Sequence, residues 1–364
     1  MRPAGPSEAS LARVQRLLSD ADRPLVIAGN GAVRANAAAE LRRFVEATDV
    51  PVASTYMGKG AVSDADPRSL MTLDSGDHDE AATAIGDADL VLAVGYDIAE
   101  YDPESWNPDG EKDVIHLDFE PAEVFFHYNP EVELVGDVAS GIAQLDERLS
   151  NRDINFDTDW YTQYRERIRE DIASYTLQSG DDLTIPGVLN ELRDTMNPED
   201  LIISDVGSHK MSIAQNFPTY EPNTCIISNG LAAMGIAVPG GIAADLAVDS
   251  NVVAATGDGG FLMNAAELET ATRVGCAFTV VVFVDDDYGL ISAKQRDHRG
   301  ESFGTGLTNP DFVAFAESFG VEARRPETAE DLVDDERARS AERHDEVDLV
   351  VTGLAAFGGI SVSD

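Results

Sequence analysis

The sequence predicts an α/β protein with two doubly wound domains, each built on a parallel sheet. In residues 1–149, and again in residues 184–364, β-branched apolar runs alternate with segments of helical periodicity. This alternation is typical of parallel sheets, because a crossover helix must join each strand to a parallel neighbour. Between the two ranges, residues 150–183 are charged, rich in aspartate and without a strand pattern. They indicate a helical linker between the domains.

The first predicted domain has short, well separated elements. A polar helix is predicted over 8–18, and an apolar strand over 24–29 runs into Gly29-Asn-Gly31. The elements that follow are a helix over 37–47 and strands over 51–54, 89–94 and 113–118. The Gly-x-Gly turn lacks the marks of a dinucleotide site, because Arg34 replaces the third glycine and no acidic residue closes the next strand. A tight turn from strand to helix accounts for both glycines.

The second predicted domain follows the same alternation. Its elements are helix 185–196, strand 201–204, strand 224–228, a Gly- and Ala-rich helix that ends at residue 247, strand 251–256, helix 264–274 and strand 278–283. Small side chains in the Gly- and Ala-rich helix permit close packing against its neighbours. The domain is therefore expected to bring the ends of several strands to one edge of its sheet.

The most informative part of the second domain is Gly257-Asp-Gly259, at the end of a predicted strand. Asp285 follows the end of the next strand. Because a crossover helix joins these strands, the carboxylates of Asp258 and Asp285 are expected at the same sheet edge. Glycines let the backbone approach a diphosphate, and two carboxylates can fix the divalent cation that bridges it. A chance cluster of acidic turn residues is the alternative, which the strand-helix-strand context disfavours.

The formal net charge is −41, from 67 acidic and 26 basic residues, of which only four are lysines. The acidic residues are spread along the chain rather than gathered in a tail. Such a composition predicts adaptation to high salt, where screening offsets self-repulsion, and a partner-binding acidic surface is the alternative. The charge disfavours nucleic acid and anionic membranes as partners. It would also repel a diphosphate, which strengthens the need for a bound cation.

Residue counts and patterns disfavour three other classes of protein: membrane-spanning, exported and disulfide-rich. No run approaches the ~20 apolar residues of a membrane span, and the N-terminus lacks a basic-then-apolar signal pattern. Cys225 and Cys276 are too few for a disulfide framework and lack metal-ligand spacing, so both are predicted to be buried thiols. A cytoplasmic location is the expectation that follows.

Seven stretches, in order, resemble the acetolactate synthase branch of the thiamine-diphosphate (ThDP) enzymes, most closely its catabolic, FAD-independent members. They are residues 95–107, 115–118, 134–137, 205–209, 227–230, 257–262 and 267–271. The family signature is Gly-Asp-Gly, a spacer of 24 to 27 residues, and Asn-Asn or Asn-Asp; here the spacer, 260–283, has 24 residues. The resemblance implies a Rossmann-like central domain over 1–149 and a diphosphate-binding ThDP domain over 184–364.

The resemblance also implies a Mg²⁺ site. Asp258 and Asp285 would bind the ion through their carboxylates, and Asp287 through its main-chain carbonyl. Gly259 and Gly260 would offer backbone amides to the diphosphate. The implied cofactors are therefore ThDP and Mg²⁺, without FAD.

Further cofactor residues follow from the same resemblance. Met234 matches the large apolar residue that supports the bent conformation of ThDP, although an ordinary core methionine is equally compatible with the sequence. His209 would line the diphosphate end, with a simple helix-start residue as the alternative. The remaining implied cofactor-binding residues are Gly207, Ser208, Gly257, Tyr288 and Gly289.

The sequence departs from the family at several points. Val284 replaces the first Asn of the terminal pair, which removes a polar neighbour of the site but no metal ligand. Lys294 stands where several relatives have Gln near the reacting carbon, which puts the acceptor substrate in doubt. Nothing in the sequence corresponds to the family's N-terminal pyrimidine-binding domain, whose glutamate activates the cofactor. Residues 350–363 carry no charge, so the chain ends either in a benign loop and strand or in a shifted reading frame.

Three functions stay open at this point. The first is the cofactor-binding part of an acetolactate synthase, acting on pyruvate or a related 2-keto acid as a homo-oligomer, with a pyrimidine domain supplied by another chain. The second is a non-catalytic remnant or diphosphate-binding module. The third is a ThDP-dependent decarboxylase of another 2-keto acid.

Overall fold

The computed structural model describes residues 5–73, 79–149, 156, 159–178, 182–328, 331, 332 and 347–353. The chain divides into two compact units. The first comprises Met1–Asp171 with Pro218–Asn223, and the second comprises Ile172–Phe217 with Thr224–Asp364. No helix in the described ranges is both long enough and apolar enough to cross a bilayer.

The first unit alternates strands and helices. Its elements are α1 (Glu8–Asp20), β1 (Pro24–Ala28), α2 (Asn30–Arg34), α3 (Ala38–Thr48), β2 (Val52–Ser54), β3 (Ser69–Thr72), α4 (Glu80–Asp87), β4 (Leu90–Val94), β5 (Asp113–Asp118), β6 (Val132–Val135) and α5 (Val138–Leu149). The next helix, α6 (Asp159–Ser174), lies in the predicted linker, of which residues 150–155, 157–158 and 179–181 are outside the described residues.

The sheet of the first unit has six strands in the order β3-β2-β1-β4-β5-β6, and all its pairings are parallel. Side chains of β1 alternate between two hydrophobic clusters. Val26 and Ala28 belong to one cluster, and Leu25 and Ile27 belong to the other. The sheet is therefore buried on both faces, as expected of a doubly wound domain.

The Gly-x-Gly turn lies where the strand order reverses, between β1 and β4. A Cβ atom on Gly29 would lie 2.4 Å from the carbonyl oxygen of Gly95, and one on Gly31 would lie 2.6 Å from the Gly95 Cα. The backbone N–H of Asn30 donates to both carboxylate oxygens of Glu100, at 3.0 and 3.1 Å. The chain itself thus fills this turn, and the two glycines serve close packing, in agreement with the sequence-based interpretation.

The second unit repeats the alternation. Its elements are α7 (Ile185–Thr195), β7 (Leu201–Ser204), α8 (Ser208–Asn216), β8 (Cys225–Ile227), α9 (Ala237–Asp245), β9 (Val252–Gly257), α10 (Asp258–Asn264), α11 (Glu267–Val274), β10 (Thr279–Val284), α12 (Gly289–Arg299), α13 (Phe312–Glu317), β11 (Glu322–Arg324) and β12 (Asp348–Gly353). The strand order is β11-β12-β10-β9-β7-β8, with every pairing parallel. The predicted class, α/β with two parallel sheets, is confirmed.

One predicted helix has different bounds. The sequence predicted a turn at Gly257-Asp-Gly259 and a single helix over 264–274. In the structure, α10 begins at Asp258 directly after β9, and α11 follows it as a second helix. Gly257 therefore ends β9, Gly259 belongs to the first turn of α10, and the prediction of a turn between strand and helix is wrong.

The uncharged C-terminal stretch contributes to the core of the second sheet. Val350 and Val351 are fully buried in β12, which pairs with β10 on one side and β11 on the other. Residues 350–353 are thus part of the fold. The rest of the predicted atypical end, residues 354–364, lies outside the described residues.

Candidate functional site

One pocket in the second unit is lined by all twelve residues that the sequence predicted for cofactor binding. They are Gly207, Ser208, His209, Met234, Gly257, Asp258, Gly259, Gly260, Asp285, Asp287, Tyr288 and Gly289. Five apolar residues that the sequence did not single out complete the lining: Ile185, Val206, Phe283, Leu290 and Ile291. The structure brings the predicted set together, and the role of each residue stays a prediction.

The pocket lies at the carboxyl ends of three adjacent strands. Gly207 comes shortly after β7, Gly257 is the last residue of β9, and Asp285 comes directly after β10. The sheet order places β10, β9 and β7 side by side. This is the edge at which open α/β sheets bind their ligands.

Glycine is required at two of the lining positions. Gly207 has φ +156°, and a Cβ there would lie 2.9 Å from the His209 ring. A Cβ on Gly259 would lie 2.6 Å from Cε1 of Tyr288. Both positions keep the backbone close to pocket side chains, which a larger residue would displace.

The carboxylate of Asp258 is buried and fixed by three donors. Its Oδ1 accepts the backbone N–H of Gly259 at 2.8 Å. Its Oδ2 accepts the backbone N–H of Asp286 at 2.8 Å and the side-chain amide of Asn309 at 2.6 Å. The carboxylate is therefore held in one orientation, in which Oδ1 accepts one of these hydrogen bonds and Oδ2 accepts two.

Asp285 experiences the charge of Asp258. Burial, followed by the nearby Asp258 carboxylate, raises the pKa of Asp285 to about 6. The backbone N–H of Asp287 donates to Asp285 Oδ1 at 3.2 Å, which shapes a tight turn. Asp285 and the neighbouring Asp258 carboxylate, whose charge disfavours the ionisation of Asp285, form a site that a divalent cation would stabilise.

Unsatisfied polar atoms mark the same region. Asp287 Oδ1, Asn309 Oδ1 and His209 Nε2 are buried and have no hydrogen-bond partner. Across the described residues, no group of three or more His, Cys, Asp or Glu side chains has the arrangement of a metal site. A site of two carboxylates and one main-chain carbonyl would not form such a group. Oxygen donors of this kind suit Mg²⁺, so the residues present fit a cation bound to a diphosphate.

His209 is the second residue of α8, and its ring is buried in the pocket wall. The ring stacks on Phe283, with centroids 5.7 Å apart and an angle of 17° between the planes. Burial lowers the pKa of His209 to about 4, against the opposing charge of Asp205. The imidazole is therefore neutral at neutral pH. His209 is therefore both a residue of the first turn of α8 and part of the pocket wall, so the two alternatives do not exclude each other.

Met234 is half-buried and lines the pocket, and it is absent from the described hydrophobic clusters. This position favours the cofactor-supporting role over that of a core methionine, and the role stays a prediction. The neighbouring loop is held by Asp205, whose carboxylate accepts the backbone N–H groups of Gly235 (2.9 Å) and Ala237 (3.3 Å) and the hydroxyl of Thr256 (3.1 Å). Sequence reasoning missed this role of Asp205, although its place at the end of β7 was a signal.

The two substituted family positions have different environments. Val284 is buried in the hydrophobic core at the end of β10, so its apolar side chain is well accommodated. Lys294 is exposed on α12 and does not line the pocket. Both predicted thiols, Cys225 and Cys276, are free and buried, as the sequence indicated.

Family comparisons agree with this geometry. Residues 11–145 match the central domain of thiamine pyrophosphate enzymes, and residues 205–351 match their C-terminal TPP binding domain, TPP being another name for ThDP. The chain belongs to the thiamine pyrophosphate enzymes. The family predicted from the sequence motifs is therefore confirmed at this level.

Curated relatives are acetolactate synthases. The chain is 30% identical over 337 residues to an acetolactate synthase of Bacillus subtilis (strain 168), covering 90% of this chain and 57% of the relative. It is 32% identical over 343 residues to one of Mycobacterium leprae, covering 90% and 54%. It is 30% identical over 322 residues to the isozyme 2 large subunit of Escherichia coli K12, covering 86% and 57%. The chain thus spans little more than half the length of these relatives.

Proposed function

We propose that this chain is the Mg²⁺- and ThDP-binding part of an acetolactate synthase-like enzyme, which decarboxylates pyruvate and forms 2-acetolactate. The observation that carries the proposal is the single pocket lined by all twelve predicted residues at one sheet edge. Bound ThDP supplies the nucleophilic carbon and the electron sink for decarboxylation of a 2-keto acid. The protein supplies binding, orientation and exclusion of water.

The proposed cation site consists of the carboxylates of Asp258 and Asp285 and the carbonyl of Asp287. The mutual repulsion of the two carboxylates supports it, because a divalent cation would turn this repulsion into attraction. The net charge of −41 supports it as well, since an unaccompanied diphosphate would be repelled from such a chain.

The diphosphate end is proposed to involve Gly207, Ser208 and His209. Gly207 lets the backbone lie close to the His209 ring, which a Cβ would meet at 2.9 Å, and Nε2 of His209 is buried without a hydrogen-bond partner in the pocket wall. A buried polar atom without a partner is costly, so a polar ligand at this place would stabilise the folded pocket.

The thiazolium end is proposed to lie against Met234, Leu290 and Ile291. These apolar side chains line the same pocket as the acidic residues. Asp205 fixes the loop that follows Met234, which would hold the methionine in place as a support for the cofactor.

The activating glutamate is proposed to come from the pyrimidine-binding domain of another chain, and the working form is proposed to be a homo-oligomer. Apolar side chains on and beside the Met234 loop support a covered surface there. Leu231, Ile236, Leu262 and Met263 are 101%, 38%, 38% and 50% exposed. A patch of this kind is typical of interaction sites.

We further propose that the first unit binds no flavin. Its Gly-x-Gly turn is occupied by the carboxylate of Glu100, which already accepts the Asn30 N–H that a phosphate group would need. The proposed location is the cytoplasm, where two free and buried thiols are ordinary.

One observation favours a second candidate, a ThDP-binding module without turnover. The carboxylates that line the described pocket belong to Asp258, Asp285 and Asp287. All three residues are assigned to the cation, the first two through their carboxylates and Asp287 through its main-chain carbonyl, so the described pocket has no carboxylate outside the proposed cation loop to activate the pyrimidine ring. Decarboxylation of another 2-keto acid is distinguished only by substrate range, since fold and motif do not define it.

Calorimetry in molar KCl tests the proposal. The chain should bind ThDP with Mg²⁺ and fail to bind it with excess EDTA. The pure chain should form no acetolactate from pyruvate, and a pyrimidine domain added in trans should produce some. ThDP binding without product in both assays would favour the binding module. Absence of Mg²⁺-dependent ThDP binding would overturn the proposed function.

A further inference from the structure

Residues 305–309, here termed the 305–309 segment, run beside the loop that carries the proposed cation ligands. The backbone N–H of Tyr288 donates to the carbonyl of Thr305 at 3.1 Å, and the N–H of Leu307 donates to the carbonyl of Asp286 at 2.7 Å. Asp287 and Gly306 form an antiparallel bridge between these two bonds. The segment therefore supports the cation loop along its main chain.

The segment ends in a side chain that joins two carboxylates. The amide nitrogen of Asn309 donates to Asp258 Oδ2 at 2.6 Å and to Asp286 Oδ1 at 2.7 Å. The backbone N–H of Asp286 donates to the same Asp258 oxygen at 2.8 Å, which closes the cluster. A primary amide has two N–H bonds, so Asn309 can satisfy both carboxylates at once.

This bridge has two physical consequences. Both donors to Asp258 from this side take Oδ2, which leaves Oδ1, with a single donor, as the oxygen freer to bind a cation. Asp286 has φ +57°, a left-handed conformation that is uncommon outside glycine. A hydrogen bond to its side chain stabilises this conformation, which sets the directions of the residues on either side of it.

We propose that Asn309 is a positioning residue of the cation site, which holds the Asp258 carboxylate and the 285–287 loop in their binding arrangement. This inference rests on the proposed function, because the cation is the one that accompanies the ThDP diphosphate. Partners that orient metal ligands typically change metal affinity by about 10- to 100-fold when they are removed. Asn309 lies 24 residues after Asp285 in the chain, outside the Gly-Asp-Gly signature.

The test compares Asn309→Leu with the wild type in molar KCl. ThDP is held at a fixed concentration, and its binding is measured by calorimetry as a function of Mg²⁺ concentration. We expect the variant to need about 10- to 100-fold more Mg²⁺ for half-saturation. At saturating Mg²⁺ its affinity for ThDP should return to the wild-type value, because the diphosphate contacts themselves are intact. Asn309→Ala is measured alongside, in case the leucine disturbs folding.

Asn251→Leu is the matched control. Asn251 also donates its side-chain amide to a buried aspartate, Asp200, at 3.3 Å, but at the opposite end of β9. This variant should show the wild-type Mg²⁺ requirement. A wild-type requirement in both Asn309 variants would overturn the inference while leaving the proposed function intact. A loss of ThDP affinity that excess Mg²⁺ does not restore would also overturn it, as a structural effect. Failure of the wild type to bind ThDP with Mg²⁺ would overturn both.

Discussion

At the scale of single residues, Asp258 has a structural and a chemical role at once. Its carboxylate begins α10 and accepts the Gly259 N–H, which favours the start of a helix. The same group faces Asp285 and raises the pKa of that carboxyl. The position of this carboxylate in the first turn of a helix is thus compatible with its proposed role as a cation ligand.

The first prediction concerns the two aspartates. Asp258→Ala should abolish Mg²⁺-dependent ThDP binding, because it removes a buried ligand from the centre of the site. Asp285→Ala should weaken binding by roughly 1–3 kcal/mol, as expected for a charge-assisted ligand that is partly exposed. Calorimetry in molar KCl measures both. Asp297→Ala, an exposed residue of α12, is the control and should bind as the wild type does. Unchanged ThDP binding in both site variants would contradict the assignment of these two aspartates as cation ligands.

The second prediction concerns the buried imidazole of His209. Its pKa is about 4 in the folded protein, against an ordinary value of 6.5. Between these values the unfolded chain binds a proton that the folded chain does not, so the free energy of unfolding falls as pH falls from 6.5 to 4. Relative to His209→Asn, the wild type should lose up to about 1.4 kcal/mol per pH unit over this window. Urea unfolding in molar KCl measures the free energy of unfolding of both proteins as a function of pH. If the two pH profiles run parallel, the prediction is wrong.

At the scale of elements, apolar runs with clear polar boundaries were predictable from the sequence. The predicted bounds of β5 and β7 are those observed. α10 was not predictable, because two glycines near its start have low helix propensity. Tertiary packing overrides that propensity: Gly260 packs on Thr256 and Asp205, and Gly259 on Tyr288.

The same distinction separates the site residues that sequence reasoning found from those it missed. The twelve lining residues were predicted from the family resemblance: eleven lie within or directly beside its motifs, and Met234 was a matching apolar position. Asp205 and Asn309 act through hydrogen bonds to backbone or carboxylate groups 23 to 51 residues away in the chain. The place of Asp205 after β7 indicates a position at the sheet edge, but the hydrogen-bond partners of both residues are decided by the folded arrangement of strands.

The third prediction compares the effect of side-chain packing at α10 on stability with the effect of helix propensity in α4. Gly259→Ala should destabilise the protein by roughly 1–3 kcal/mol, because its Cβ would meet the Tyr288 ring at 2.6 Å. Gly86→Ala in α4 is the opposite case, since a Cβ there meets nothing within 4 Å. That variant should stabilise the protein by about 0.5–1 kcal/mol through helix propensity alone. Urea unfolding of both variants checks the prediction, and equal changes would contradict it.

At the scale of the whole molecule, the charge balance dominates. With 67 acidic and 26 basic residues, the negative charges outnumber the positive charges by 41. Ion pairs such as Arg13–Glu131 and Arg273–Glu269 are exposed, and pairs of that kind contribute little to stability. Solvent ions must therefore offset the remaining repulsion, while the apolar clusters of the two units supply the cohesion.

The last prediction follows from this balance. On dilution from molar salt to ~0.01 M, the screening length grows from ~3 to ~30 Å, so that repulsion acts across a whole domain. Helical circular dichroism should therefore be lost cooperatively on dilution and regained when KCl is restored. Sucrose at the same osmolality should restore much less, because it favours burial without screening charge. Millimolar Mg²⁺ with ThDP should shift the loss of helical circular dichroism to a lower salt concentration, since the bound pair stabilises only the folded state. An unaltered fold in low salt would show that the acidic surface has another purpose, and partner binding would then be its leading explanation.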